Sequence, residues 1–249
     1  MRKLALSDEI LLKVDKAARY IGGEVNSVMK DKNEVEIRFA MCFPDVYEIG
    51  MSNLGMMILY NMFNQREDVW CERLFSPWPD LDKVMREKKI PLFALESQEP
   101  IRDFDFLGIT IGYEMCYTNI LQVLDLSGIP LKSADRGEDF PIVIGGGACA
   151  YNPEPLAPFF DMFYIGEGET VYDALFDAYK ANKKAGGSRR DFLLAAAKIP
   201  GIYVPSLYEV TYKEDGTIAS FAPTADGVPE KVQNCLLYTS PSPRDGATS

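Results

Sequence analysis

Phe106-Leu107-Gly108-Ile109-Thr110-Ile111 (FLGITI, residues 106–111) is an almost unbroken apolar run. A run of that length and composition reads as a strand in the middle of a sheet, covered on both faces. Three further runs share its texture. VEIRFAMCF (35–43) leads straight into Pro44-Asp45, PIVI (141–144) stops at Gly145-Gly146-Gly147, and MFYI (162–165) stops at Gly166. Val69 to Phe75 is a candidate second strand, and Pro91 to Leu95 another extended piece. Helical stripes lie between them: Leu54, Met57, Ile58 and Phe63 behind a cap at Ser52 or Asn53, then Asp80 to Lys89, Tyr117 to Leu126, and residues 170–183. Strands alternate with helices five times, which predicts an α/β, doubly wound, mainly parallel Rossmann- or flavodoxin-like sheet of five strands. The four runs at 35–43, 106–111, 141–145 and 162–165 are expected side by side in its core.

At the ends the texture changes. Ser7-Asp8-Glu9 precedes Ile10, Leu11, Val14, Ala17, Ala18 and Ile21, a capped helical stripe closed by Gly22-Gly23. After Pro200, Tyr208 to Tyr212 and Thr217 to Phe221 flank Glu214-Asp215-Gly216, a hairpin signal. The expected division is therefore a helical lead-in over 1–30, an α/β domain over 31–200, a β hairpin or linker over 201–233, and a tail over 234–249. The tail from Cys235, CLLYTSPSPRDGATS, has no periodicity and resembles the conceptual translation of a sequencing adapter. It is read as non-native, with the true gene continuing beyond about Gln233.

Composition excludes several classes. The formal net charge of −11 opposes phosphate backbones and anionic membranes, so neither nucleic acid nor membrane is an expected partner. No run is apolar over the length needed to span a bilayer, and MRKLALSDEI is no signal peptide, so a cytoplasmic location is expected. Five cysteines at 42, 71, 116, 149 and 235 form no CxxC pair. Histidine is absent, which removes Ser–His and Cys–His nucleophile pairs, HExxH zinc sites and every His-ligated cofactor.

Ligands of open parallel sheets bind at the carboxyl ends of the strands. Four segments fall there: residues 43–50 (FPDVYEIG), 110–114 (TIGYE), 145–155 (GGGACAYNPEP) and 166–169 (GEGE). Glycine there either makes a tight turn or lets the backbone approach a large ligand. Asp45 is a helix cap or a group that orients a ligand from behind. The acids Glu48, Glu154, Glu167 and Glu169 lack metal spacing, and Met51, Met56 and Met57 read as packing. A flavin or nucleotide site is disfavoured, because the loop after the first strand lacks both GxGxxG and a Ser/Thr-rich phosphate loop.

Asp45-x-Tyr47-x-x-Gly50, then Thr110, then Gly145-Gly146, resembles the cobalamin-binding pattern Asp-x-His-x-x-Gly, Ser-x-Leu, Gly-Gly. More narrowly, ARYIGGEVNSV, FPDVYEIGMSNLGMMILYNMFN, ERLFSPWPD, YTNILQVLDLSGIPL, NPEPLAPFFD, IGEGE and GIYVPSLYEV resemble the N-terminal, cobalamin-binding-type domain of an uncharacterised radical SAM family, from about Lys16 to Val210. The resemblance implies an accessory cofactor domain with Asp45, Tyr47, Gly50, Thr110, Gly145, Gly146, Gly147, Gly166 and Glu167 around a corrinoid. It also implies a following radical SAM barrel that holds a 4Fe-4S cluster on CxxxCxxC and cleaves S-adenosylmethionine. The chain has no CxxxCxxC, so the expectation is a fragment that lacks the catalytic barrel, is inactive alone, and has that barrel as its partner. Tyr47 replaces the histidine that would ligate cobalt. A phenol of pKa near ~10 is a poor ligand at neutral pH, so cobalamin is expected without a histidine beneath it. The alternative is an interaction or substrate-positioning module of the same fold that binds no cobalamin.

Overall fold

In the computed structural model, which describes residues 4–234, strand β1 (Ile37–Phe43) is buried along its whole length. Its side chains divide by parity, as the two-residue period of a strand requires. Ile37, Phe39, Met41 and Phe43 enter one core, while Ala40 and Cys42 enter the other. A strand apolar on both faces must be covered on both, and β1 lies between β2 (Val69–Phe75) and β3 (Phe106–Thr110). The sheet continues through β4 (Ile142–Gly146), β5 (Met162–Tyr164) and β6 (Ile202–Tyr203), giving the order β2-β1-β3-β4-β5-β6. β1 to β5 are parallel to one another, with Phe39 opposite Phe106 and Thr110 opposite Gly146. The four runs expected in the core are adjacent there.

The sheet has six strands rather than five. β6 pairs antiparallel to β5 at the edge, Phe163 with Tyr203 and Tyr164 with Ile202. Two residues carry no readable periodicity; they are aligned by the turn at Gly201, whose φ of +82° places Ile165 N–H against the Gly201 carbonyl.

The helices are α1 (Asp8–Leu11), α2 (Ala18–Ile21), α3 (Tyr47–Met51), α4 (Leu54–Gln65), α5 (Pro79–Lys88), α6 (Tyr117–Leu126), α7 (Tyr172–Lys184) and α8 (Arg189–Ala196). α4, α7 and α8 cover one face through an aromatic core that includes Phe39, Phe63, Phe106, Phe176 and Phe192. α5 and α6 cover the other through Leu81, Met85, Ile120, Val123 and Leu124. Each such side chain contributes about 1.5–3 kcal/mol of burial, so the two cores, rather than helix propensity, hold the layers together.

The stripe expected as one N-terminal helix is broken into α1 and α2, because Asp15 N–H is drawn to the Asp80 carboxylate at the start of α5. Ser7 accepts through its backbone carbonyl only and makes no side-chain cap. The piece at Pro91 to Leu95 joins no strand and forms a single bridge, Phe93 to Pro100. The expected hairpin is present as β7 (Tyr208–Tyr212) and β8 (Ile218–Pro223). The tail over 235–249 lies outside the described residues. Among those described, no helix is long and apolar enough to cross a membrane.

Candidate functional site

A parallel order 2-1-3-4-5 reverses direction between β1 and β3, and crevices open at the carboxyl ends beside such a point. Here a cavity of about 200 Å3 opens on the α4–α7 face of the sheet. Its floor is Phe39, Met41, Gly108 and Ile144; its rim is Thr110, Gly146, Gly147 and Gly166; its walls are Asn53, Gly55, Met56 and Leu59 from α4, and Tyr164, Gly168, Glu169 and Tyr172 from the other side.

The floor exists because Gly108 has no side chain. A Cβ there would stand 2.4 Å from the Phe39 ring, so the ring lies flat across the strand. Gly145 and Gly146 do opposite things, since neighbouring strand residues face opposite sides. A Cβ on Gly145 would strike Phe163, Ile111 and Phe160 at 2.8–3.0 Å, in the core away from the cavity. A Cβ on Gly146 would meet nothing nearer than the Tyr164 carbonyl at 4.0 Å, so this position is open space at the cavity rim. Gly147 holds φ at +102° with the Ile111 carbonyl 3.0 Å from where a Cβ would be, which only glycine fits. Gly166, at φ +145°, turns the chain out of β5, and the Tyr164 hydroxyl donates to the Glu167 carbonyl at 2.6 Å, fixing the loop that forms the far wall. Gly168 lets this loop pack onto Leu59 of α4.

Asn53 caps α4, its side-chain oxygen accepting from Met56 N–H at 2.9 Å. The lining is otherwise largely apolar, with hydroxyls from Thr110, Tyr164 and Tyr172 and one exposed carboxylate, Glu169. Burial pushes the Tyr172 phenol above its ordinary range, so it remains a neutral hydroxyl at all physiological pH values. A flat, mostly apolar group with a few polar atoms is the chemistry this cavity accepts.

Thr110, Gly146, Gly147 and Gly166 are thus brought together around one cavity. Gly145 and Gly50 are packing positions; a Cβ on Gly50 would meet the Phe75 ring at 2.2 Å. Asp45 lies at the end of β1 but does not line the cavity: it accepts from Val46 N–H at 2.7 Å and from the Tyr113 hydroxyl. That bond pushes the Tyr113 phenol up to about 12, with partial burial adding to it. Tyr47 stands elsewhere. Its ring packs edge-on against Phe75 at 5.4 Å and its hydroxyl donates to Glu24 at 3.0 Å. Burial, and then the bond to Glu24, push its phenol up to about 12. Glu167 is exposed on the loop beside the cavity.

Asn53, Met56, Leu59, Tyr164 and Tyr172 were not singled out as site residues from sequence. Their stripes read as helix packing or strand core, and no local signal separates a residue that lines a cavity from one that fills it. No sequence pattern marks the buried ion cluster beside Tyr47. Arg73, fully buried on β2, donates to Glu96 at 2.6 Å, Ser27 at 2.8 Å and Glu24 at 3.1 Å. Among the described residues no three His, Cys, Asp or Glu side chains gather in a metal-binding group.

A family model described as "Radical SAM proteins, N-terminal" matches residues 55–205, more than half of the chain. The chain is also 26% identical over 131 residues to the uncharacterized protein MJ0966 of Methanocaldococcus jannaschii, a match covering 52% of this chain and 24% of that protein. It therefore spans about a quarter of that relative's length. No solved structure matches.

Proposed function

Because this chain belongs to the family of radical SAM N-terminal domains, we propose that it serves as the accessory cofactor domain of a longer radical SAM protein, with a corrinoid bound at the carboxyl edge of its sheet. The observation that carries this reading is the glycine-rimmed cavity beside the β1–β3 crevice. A corrin macrocycle is too large for a space of about 200 Å3. The loops at the edge would have to carry the macrocycle, and the cavity would admit only a smaller flat group, such as the heteroaromatic base of its nucleotide tail. Thr110 and the backbone at Gly147 and Gly166 would supply polar contacts at the rim. No imidazole of this chain reaches cobalt, since it has none, and Tyr47 is engaged by Glu24 away from the cavity. The 4Fe-4S cluster and S-adenosylmethionine belong, in the same reading, to a further domain. The thiol of Cys42 is buried and pushed by desolvation far above its ordinary range, and that of Cys71 likewise, which suits packing rather than iron ligation.

The test uses hydroxocobalamin and one cavity-filling variant. The wild-type chain should retain the corrinoid through gel filtration, with a visible spectrum free of a protein nitrogen ligand. Gly146→Leu, at an open position with ordinary backbone angles, should lose binding at least tenfold while keeping its melting temperature. Absence of binding by the wild-type chain at micromolar corrinoid would reject the cofactor reading in favour of an interaction module. Equal binding by both proteins would move the site away from this cavity.

A further inference from the structure

We propose that the β7–β8 hairpin is the seat of the domain that follows this N-terminal unit in the longer protein; the inference rests on the accessory-domain reading and not on the identity of the ligand. The hairpin is amphipathic through its register: strand alternation sorts most of the side chains, and the irregularity between Thr211 and Tyr212 brings Ile218, which alternation from Phe221 would place on the other face, opposite Tyr212. Tyr208, Val210 and Tyr212 share one face and stand opposite Pro223, Phe221 and Ile218. The other face carries Glu209, Thr211 and Ser220, with the Thr211 and Ser220 hydroxyls 2.6 Å apart.

Among the described residues, only the base of the apolar face is covered. Tyr208 stacks on Phe221 at 5.0 Å and leans on Tyr203 at 5.3 Å. Its hydroxyl donates to the Pro229 carbonyl at 2.8 Å, and Thr224 N–H donates to the Leu207 carbonyl at 2.8 Å, so the arm leaves the body at a fixed angle. Toward the tip nothing among the described residues covers it: Tyr212 is 65% exposed and Ile218 58%, and Phe221, despite its stacking on Tyr208, is still 40% exposed. A two-stranded ribbon with one bare apolar face is marginal in water. Clustered exposed apolar side chains of this kind mark a protein contact.

The position of the hairpin names the occupant. The family match ends at residue 205, three residues before β7 begins. The relative's matched part is 24% of its length, so that protein carries far more chain than the matched unit. An apolar arm fixed at the outgoing end of that unit lies where the next domain must pack.

The experiment compares the 249-residue chain with the full-length protein that carries it, by hydrogen exchange of residues 208–223. In the full-length protein these amides should exchange roughly tenfold more slowly than in the 249-residue chain. The double substitution Tyr212→Glu with Ile218→Glu should abolish that difference and open the interdomain segment to protease. The same pair should leave the melting temperature of the 249-residue chain unchanged, which separates lost docking from lost folding. Equal exchange in the two proteins, or protection that survives the double substitution, overturns the proposal. So does a concentration-dependent dimer of the 249-residue chain that the substitutions dissolve, since the occupant is then a second copy. A reading frame that encodes no radical SAM domain instead overturns the accessory-domain reading, on which the proposal stands.

Discussion

Gly145 and Gly146 are chemically identical and adjacent, yet the sheet gives them opposite work. The pleat turns Gly145 toward Phe160 and Phe163 and Gly146 toward the cavity rim. A methyl group therefore discriminates between them. Gly145→Ala forces two aromatic rings and Ile111 to give way, and overpacking of this kind costs about 1–3 kcal/mol. Gly146→Ala meets only ordinary contacts and should leave stability unchanged within about 0.5 kcal/mol. Urea unfolding of the two variants checks the pair, and equal midpoints would show that the glycines are not divided between faces. Tyr47 is the complementary case. Its spacing from Asp45 and Gly50 placed it in a ligand motif, and its surroundings give its hydroxyl to Glu24. Spacing along a chain fixes which residues share a loop; which way each points is decided by the side chains that the loop meets.

At the scale of elements, α7 shows how a helix is pinned by charge as well as by its apolar stripe. Arg66, just past α4, donates to Asp68 at 2.8 Å and to Asp173 and Asp177 of α7 at 2.6 and 3.0 Å, while Lys180 of α7 reaches back to Asp68. The Arg66 guanidinium, and then the Lys180 ammonium, hold the Asp68 carboxyl well below the usual carboxylate range against a partial burial that raises it. A carboxyl depressed in the folded state gives stability that is fully present above its unfolded pKa of about 3.9 and is lost as pH falls toward its folded value. The clasp should therefore weaken below about pH 4 and leave the neutral range flat. Asp68→Asn should lower the melting temperature at pH 7 and flatten its fall between about pH 4 and pH 2. A variant whose acid limb overlays the wild type would show that Asp68 titrates normally. Elements also differ in how openly they are written. α8 carries a reciprocal cap between Ser188 and Asp191; the signal was present but followed a long amphipathic run without a strand between. β6, by contrast, is two residues long and follows from tertiary pairing alone.

For the whole molecule, the legible part was the buried one. FLGITI, VEIRFAMCF and PIVI are almost wholly apolar on both faces, and such strands have no place except a covered parallel sheet, so the mainly parallel sheet and the place of these runs in its core followed from composition. The cavity was half legible: Thr110, Gly146, Gly147 and Gly166 stand at strand ends, but the walls from α4 and α7 come from residues hundreds of possible sequences would use for packing. Least legible was how firmly the first thirty residues belong to the body. Leu6, Ile10, Val14 and Tyr20 enter the core beneath α5 and α6. Val28 bridges the Tyr60 hydroxyl and the Trp70 indole, and Lys30 donates to the carbonyls of Asn64, Arg66 and Val69. Glu24, Asn26 and Ser27 supply partners to the buried Arg73 guanidinium. Removing them would leave that charge with Glu96 as its remaining carboxylate and expose apolar surface along one face of the sheet, and breaking buried ion clusters costs about 3–5 kcal/mol before any lost burial is added. Since a domain of this size has a total stability of about 5–15 kcal/mol, deletion of residues 1–30 should abolish cooperative unfolding and produce a species that binds hydrophobic dye. A deletion variant with a sharp transition within about 5 °C of the parent would show that the segment is dispensable to the body, and that Arg73 and Glu96 suffice for each other.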